Sequence, residues 1–180
     1  MQSSLSELFI AEHDVILGAG DLITLNRNQW KSDPAGYEQM VKQLLGFFSV
    51  YADQFHHHKE EEILFPAISR MSELAGAGIV TELNEHHEDF RLLMQKIRAA
   101  LAIHDFASTE QLLESYIHQL RDHIAVENDE LFPMADDIFS KEELDKLYYK
   151  CIDIDEGLGK IQKKELEDLI KDLTRNETVQ

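Results

Sequence analysis

A single cysteine, Cys151, is all the thiol this chain possesses. It cannot close an intramolecular disulfide, and a thiolate zinc or iron–sulfur site is excluded. Three prolines and eight glycines in 180 residues are too few for a turn-rich β fold and favour long uninterrupted elements. Basic side chains are also scarce, 17 against 35 acidic ones, for a formal net charge of -18. Such a surface repels phosphate backbones, which argues against nucleic-acid binding, and offers no basic face for an anionic membrane. No apolar run has the length of a membrane span. The stretch from Met1 to Glu12 lacks the basic start and apolar centre of a signal peptide. The expected location is the cytoplasm. Hydrophobic residues reach 43%, which excludes general disorder, and the length suits one domain with its own core.

What the chain does hold is one phrase written twice. Phe55 to Pro66 reads F-H-H-H-K-E-E-E-I-L-F-P, and Asp122 to Pro133 reads D-H-I-A-V-E-N-D-E-L-F-P. Aligning the two Leu-Phe-Pro ends places His56 on His123 and Glu60 on Glu127. Each copy therefore carries His-x-x-x-Glu, and the duplication suggests a metal pair between two half-sites.

Periodicity predicts an all-α fold. Ser4-x-x-Glu7 is a capping box, and Phe9, His13, Ile16, Gly20 and Ile23 trace one helical face beyond it. After a connection from Gln29 to Ser32, Asp33-Pro34 opens a second helix. Its inward face runs through Val41, Leu45, Phe48, Ala52, His56, Glu60 and Ile63, with a break expected near Pro66. A third helix from about Gly78 to Ile103 carries Leu83, His87, Phe90, Met94, Ile97 and Leu101. A fourth, capped at Ser108, carries Leu113, Tyr116, Leu120, His123, Glu127 and Leu131. Ser140-x-x-Glu143 opens a shorter helix ending near Cys151. A last helix runs from beyond Gly159 to about Leu173, with a frayed tail from Thr174. The predicted architecture is an up-down-up-down four-helix bundle of two helical hairpins over residues 1–137. One or two short C-terminal helices over 138–180 pack on the same domain.

Side chains four apart on a helix project the same way, so His56 with Glu60, and His123 with Glu127, converge on one centre. Imidazoles supply neutral nitrogen, while two carboxylates spanning two cations offset the cations' repulsion. A mixed nitrogen and oxygen set without thiolate suits iron, with manganese or zinc as competitors. His13 and His87 complete the set from the first helix of each hairpin. Leu83 and Phe90 flank His87 as Phe9 and Ile16 flank His13, which favours His87 over His86. The metal-ligand candidates are His13, His56, Glu60, His87, His123 and Glu127. His57 and His58 repeat the four-residue spacing to Glu61 and Glu62, but each is rotated about 100° further from the His56 face. They are expected in an outer shell or at the surface. His104 and His118 are expected at the surface or boundary, and Tyr51 and Tyr116 to pack beside the half-sites.

These residues resemble the hemerythrin-like family, the HHE cation-binding domains. Glu12-His13, His56-His57-x-Lys59-Glu60-Glu61-x-x-Leu64-Phe65-Pro66, His87-x-x-x-Arg91 and His123-x-x-x-Glu127-x-x-x-Leu131-Phe132-Pro133 carry the likeness, over about Leu5 to Asp137. The resemblance implies two non-haem iron ions and oxygen-related chemistry with O2, peroxide or nitric oxide as small-molecule ligand. Oxygen carriers of the family have a second histidine four residues after the third-helix ligand, where this chain has Arg91. One metal then has an open position or a replacement donor such as Glu61, His57, a tyrosine or water. The leading expectation is a di-iron protein that binds or senses these molecules in oxygen, iron or stress handling. Its alternatives are a di-iron enzyme of the peroxidase, nitric oxide reductase or iron-cluster repair type, and a metal-buffering or interaction domain with a protein partner. Neither Glu-x-x-His nor His-Glu-x-x-His occurs, which disfavours a ferritin-like oxidase and a zinc hydrolase.

Overall fold

A computed structural model describes residues 4–177, and every regular element among them is helical. Helix α1 (Leu5–Leu25) starts at the Ser4 capping box, where Ser4 and Glu7 satisfy each other's backbone N–H. A short 3-10 turn, Gln29–Lys31, forms the connection. Asp33 then caps α2 (Pro34–Phe47) by accepting from the Gly36 N–H. The chain continues in helical form through π1 (Phe48–His57) and π2 (Glu60–Leu64) into α3 (Phe65–Met71). The one-turn α4 (Glu73–Ala75) and a wide turn π3 (Gly76–Val80) lead to α5 (Thr81–Ala102), three residues shorter at its start than the periodicity suggests.

Helix α6 (Phe106–Val126) returns along α5 and runs on through π4 (Glu127–Leu131) into α7 (Phe132–Ile138). Its cap is Asp105 rather than Ser108. The Asp105 carboxylate accepts from the Ser108 N–H at 3.1 Å, so the aspartate three residues earlier takes the role. The Ser140 capping box opens α8 (Lys141–Leu158), which passes Cys151 and ends only at Gly159, whose φ of 117° is the left-handed stop glycine tolerates best. Helix α9 (Lys160–Glu177) follows and continues past the expected fraying at Thr174; residues 178–180 lie outside the described residues. Both α8 and α9 pack on α1.

The wide turns π2 and π4 have a local cause. The Phe65 N–H bonds to the Glu60 carbonyl and the Phe132 N–H to the Glu127 carbonyl, each five residues back. The next residue in each case is proline, which has no N–H to donate and crowds the carbonyl four residues before it. Widening the preceding turn accommodates both constraints without ending the helix. Leu64 is consequently buried where Ile63 was expected to be, and Ile63 is half-buried.

The helical bundle encloses two apolar clusters. One contains Ile16, Ile23, Val41, Leu45, Ile97 and Leu120, joined by Ile170 of α9. The other contains Phe9, Leu64, Phe65, Leu83, Leu131 and Phe132, joined by Leu147 and Cys151 of α8. Along α1 the chain passes from Phe9 to Ile16 across His13, and along α5 from Leu83 to Phe90 across His87. A polar layer thus separates the two cores.

Candidate metal centre

All six residues expected from the sequence lie in that layer, and all are buried. His13, His56, Glu60 and Glu127 place donor atoms within 4.8 Å of one another. A second group within the same limit comprises His57, Glu60, His87 and His123. His57 is therefore a seventh member, not an outer residue. The His58 N–H bonds to the Asp53 carbonyl, five residues back. In so wide a turn, neighbours subtend less than the 100° of an α-helix, and His56 and His57 both face inward. His58 is exposed, as expected, and so are His104 and His118. The wide turn that brings His57 inward lies upstream of the one set by Pro66, and the regular 100° spacing of an even helix could not reveal it.

The two carboxylates join the groups. Glu127 Oε2 stands 3.1 Å from His13 Nε2, and its Oε1 stands 3.1 Å from His123 Nε2. Glu60 Oε1 is 3.6 Å from His56 Nε2, and its Oε2 is 3.5 Å from His87 Nε2. Each carboxylate thus lies between one histidine of the first group and one of the second. The nitrogens also converge, with His13 Nε2 3.0 Å from His56 Nε2 and His87 Nε2 3.1 Å from His123 Nε2. Two donors held at right angles by one cation at roughly 2.1 Å stand about 3.0 Å apart.

Outer partners hold the opposite ring nitrogens. His56 Nδ1 meets Glu12 Oε2 at 3.0 Å, and His13 Nδ1 meets Asn128 Oδ1 at 2.9 Å. His87 Nδ1 meets Glu61 Oε1 at 2.8 Å, while His123 Nδ1 lies 3.4 Å from His86 Nδ1. A carboxylate or amide oxygen accepting Nδ1–H leaves the Nε2 lone pair for a cation. The pattern is nearly two-fold. Residues just before His13 and His87 support the histidine of their own hairpin's second helix, and residues just after Glu60 and Glu127 support the first-helix histidine of the other hairpin. The repeated Leu-Phe-Pro phenylalanines cross in the same way: Phe132 stacks on His13 and Phe65 on His87, each with centroids 5.6 Å apart. His57 breaks the symmetry, because Ile124 occupies its counterpart. Arg91, at the position where oxygen carriers of the family have a second histidine, binds Glu61 and Asp53 at 2.7 and 2.8 Å and so braces the support of His87.

Electrostatics favour cation binding. Both ring nitrogens of His57 and both oxygens of Glu60 and of Glu127 are buried without a hydrogen-bond partner among the described residues. Buried polar atoms left in that state are costly. Burial, and then the Glu127 charge, pushes Glu60 well above the usual carboxylate range. Burial acts on Glu127 in the same direction, but His123 and His13 outweigh it and hold Glu127 well below. Burial pushes His56 down to about 4 against the pull of Glu12, and lowers His57 far below the ordinary imidazole range. These rings are neutral donors near neutral pH. Seven inward donor residues, with His57, Glu60 and Glu127 left unpaired, fit a pair of divalent or trivalent cations.

Tyr51 and Tyr116 are buried beside this layer. The Tyr51 hydroxyl donates to Glu167 of α9 at 3.0 Å, and Tyr116 packs edge-on against Phe48 and Phe90. A cavity of about 250 Å³ opens between π1 and α5, lined by Asp53, His57, Phe90, Arg91 and Tyr116 among others. No helix among the described residues is long and apolar enough to cross a membrane.

No curated protein matches the sequence. Residues 4–135 do match the profile of the hemerythrin HHE cation binding domain, nearly three-quarters of the chain and every residue of the layer just described. The chain belongs to the hemerythrin HHE cation-binding family.

Proposed function

We propose that the protein holds two iron ions between its hairpins and uses them to bind or sense O2 or a related small molecule such as peroxide or nitric oxide. The observation that carries this reading is the pair of buried carboxylates, each set between histidines of both groups and neither hydrogen-bonded. His13 and His56 serve one position, His57, His87 and His123 the other, and Glu60 and Glu127 are shared. Bound iron supplies a redox-active Lewis acid for such ligands. The chain's part is to orient the imidazoles through Glu12, Asn128 and Glu61, and to keep solvent away with Phe9, Phe65 and Phe132. The two-histidine position has fewer protein donors, so we assign the exogenous ligand to it. The same reading takes the two hairpins as an up-down-up-down four-helix bundle over residues 1–137, with 138–180 as an extension, in a cytoplasmic protein.

A di-iron enzyme is the second reading, favoured by the cavity that reaches His57. Metal analysis followed by anaerobic reduction and stopped-flow mixing with O2, peroxide and nitric oxide separates the two. A binding or sensing protein returns to its starting spectrum when the ligand is removed; an enzyme accumulates product over many turnovers. Purification with zinc alone, and no spectral response to any of the three, would overturn both.

A further inference from the structure

Glu12 accepts the His56 Nδ1–H on one oxygen, and its other oxygen receives the ammonium groups of both Lys59 and Lys163. The same two lysines bind the two oxygens of Asp155, at 2.9 and 2.5 Å. The result is a closed ring of alternating charge, Lys59–Glu12–Lys163–Asp155, one side chain from a metal-site histidine. Lys59 is fully buried, and Glu12 and Asp155 nearly so. Asp155 comes from α8 and Lys163 from α9, beyond the stretch that matches the family. Tyr51–Glu167 ties α9 to π1 beside the ring.

Packing alone does not call for such a ring. Desolvating four charges is expensive, and apolar residues of similar volume stabilise a protein as well or better. The other hairpin shows the cheaper solution, with Val126 at the counterpart of Lys59 and His86 at that of Glu12. The fully enclosed ring stands at the two-histidine position, whereas the Arg91–Glu61–Asp53 charges behind His87 are partly exposed.

We infer that the C-terminal helices are an electrostatic part of the metal centre, with Asp155 and Lys163 acting through Glu12 as positioning residues that set the donor strength of His56. A carboxylate accepting Nδ1–H raises the basicity of the ligating imidazole. Ammonium groups on its other oxygen draw off part of that negative charge. Loss of Lys163 strengthens the pull of Glu12 on the His56 proton and removes a positive charge near the site. Both effects favour the oxidised metal. Loss of Asp155 leaves the lysines in excess and acts in the opposite direction. Only the redox consequence depends on the two metal positions holding iron.

The test uses the full chain with Lys163→Met, Asp155→Asn, the double substitution and Lys163→Arg. In the iron-loaded protein, Lys163→Met is expected to raise the oxidised-to-reduced ratio at fixed potential about tenfold, and Asp155→Asn to lower it similarly. The double substitution and Lys163→Arg should return close to the parent. In the metal-free protein, the His56 Nδ1 proton is read by NMR, with Glu12→Gln identifying it. Its resonance should move downfield in Lys163→Met and upfield in Asp155→Asn. Shifts of the same sign, or none, overturn the inference, since a merely structural lesion has no reason to follow charge. If the parent chain takes up no iron, the iron reading fails and the NMR comparison alone decides this one. If Lys163→Met does not fold, Asp155→Asn is compared with the double substitution, where restoration of the parent value is again required.

Discussion

His57 and His58 are adjacent in sequence and opposite in circumstance. His57 is buried against His87, the rings stacked with centroids 3.8 Å apart, while His58 faces solvent. His57→Ala is therefore expected to lower iron content from two to about one per chain, and His58→Ala to leave it at two, by metal analysis of the purified variants. Equal content in the two variants would remove His57 from the donor set. At this scale the sequence was informative wherever a residue had a counterpart in the repeat. His56 and Glu60 were legible through His123 and Glu127, and His13 and His87 through their matching apolar flanks. His57 has only Ile124 opposite it, so the duplication could not point to it. Nor could spacing expose Glu12, Lys59, Asp155 and Lys163 as one ring, because their separations in sequence reach 151 residues.

At the scale of elements, inward stripes were readable because helical periodicity is local. All five α1 positions from Phe9 to Ile23 are buried. Gly20 shows why one of them has no side chain: a Cβ there would stand 2.0 Å from Ile117 Cδ1, where α1 crosses α6. Gly20→Ala gains about 1 kcal/mol of helix propensity but overpacks a closed core at a cost of about 1–3 kcal/mol. A net loss of about 1 kcal/mol is expected in thermal or urea unfolding, partly recovered when Ile117→Val is added. Ends were less legible than faces. Ser4 and Ser140 cap as their boxes indicate, whereas Asp105 displaces Ser108, since two eligible caps three residues apart cannot be ranked from local sequence alone. Helix α8 outruns Cys151 because only Gly159 supplies a backbone stop.

For the whole molecule, the polar layer between two apolar cores makes stability depend on its contents. Without metal, burial depresses His56, His57 and His87, so the unfolded chain binds more protons below about pH 6.5. Glu60, raised by burial, works against this, but it is one group against three. Glu12 and Glu61 resist protonation in the fold because burial is outweighed for Glu12 by His56 and Lys59, and for Glu61 by His87 and Arg91. Their contribution is full above about pH 4.3 and lost as the pH falls further. The unfolding midpoint of the metal-free protein is thus expected to fall steadily as the pH drops below about 6.5. Iron should raise the midpoint at pH 7, by the equivalent of about 2.7 kcal/mol at a hundredfold excess over Kd, and delay the acid decline. Calorimetry with and without a chelator reads both, and a midpoint indifferent to chelator would contradict the assigned layer.

The wide turns after Glu60 and Glu127 each amount to one residue more than an even helix would hold. That surplus works as an alignment shim. Upstream of it the helix is phased to aim His56 and Glu60, or His123 and Glu127, at the centre. Downstream it is phased to seat Leu64 and Phe65, or Leu131 and Phe132, in the lower core. Without the shim, everything beyond the glutamate would turn by about 100°, and each phenylalanine would leave the histidine it braces in the other hairpin. A helix of uniform pitch could satisfy the metal layer or the core beneath it, but these side chains could not serve both. The proline that closes each phrase thus lets one continuous helix keep two separate angular settings.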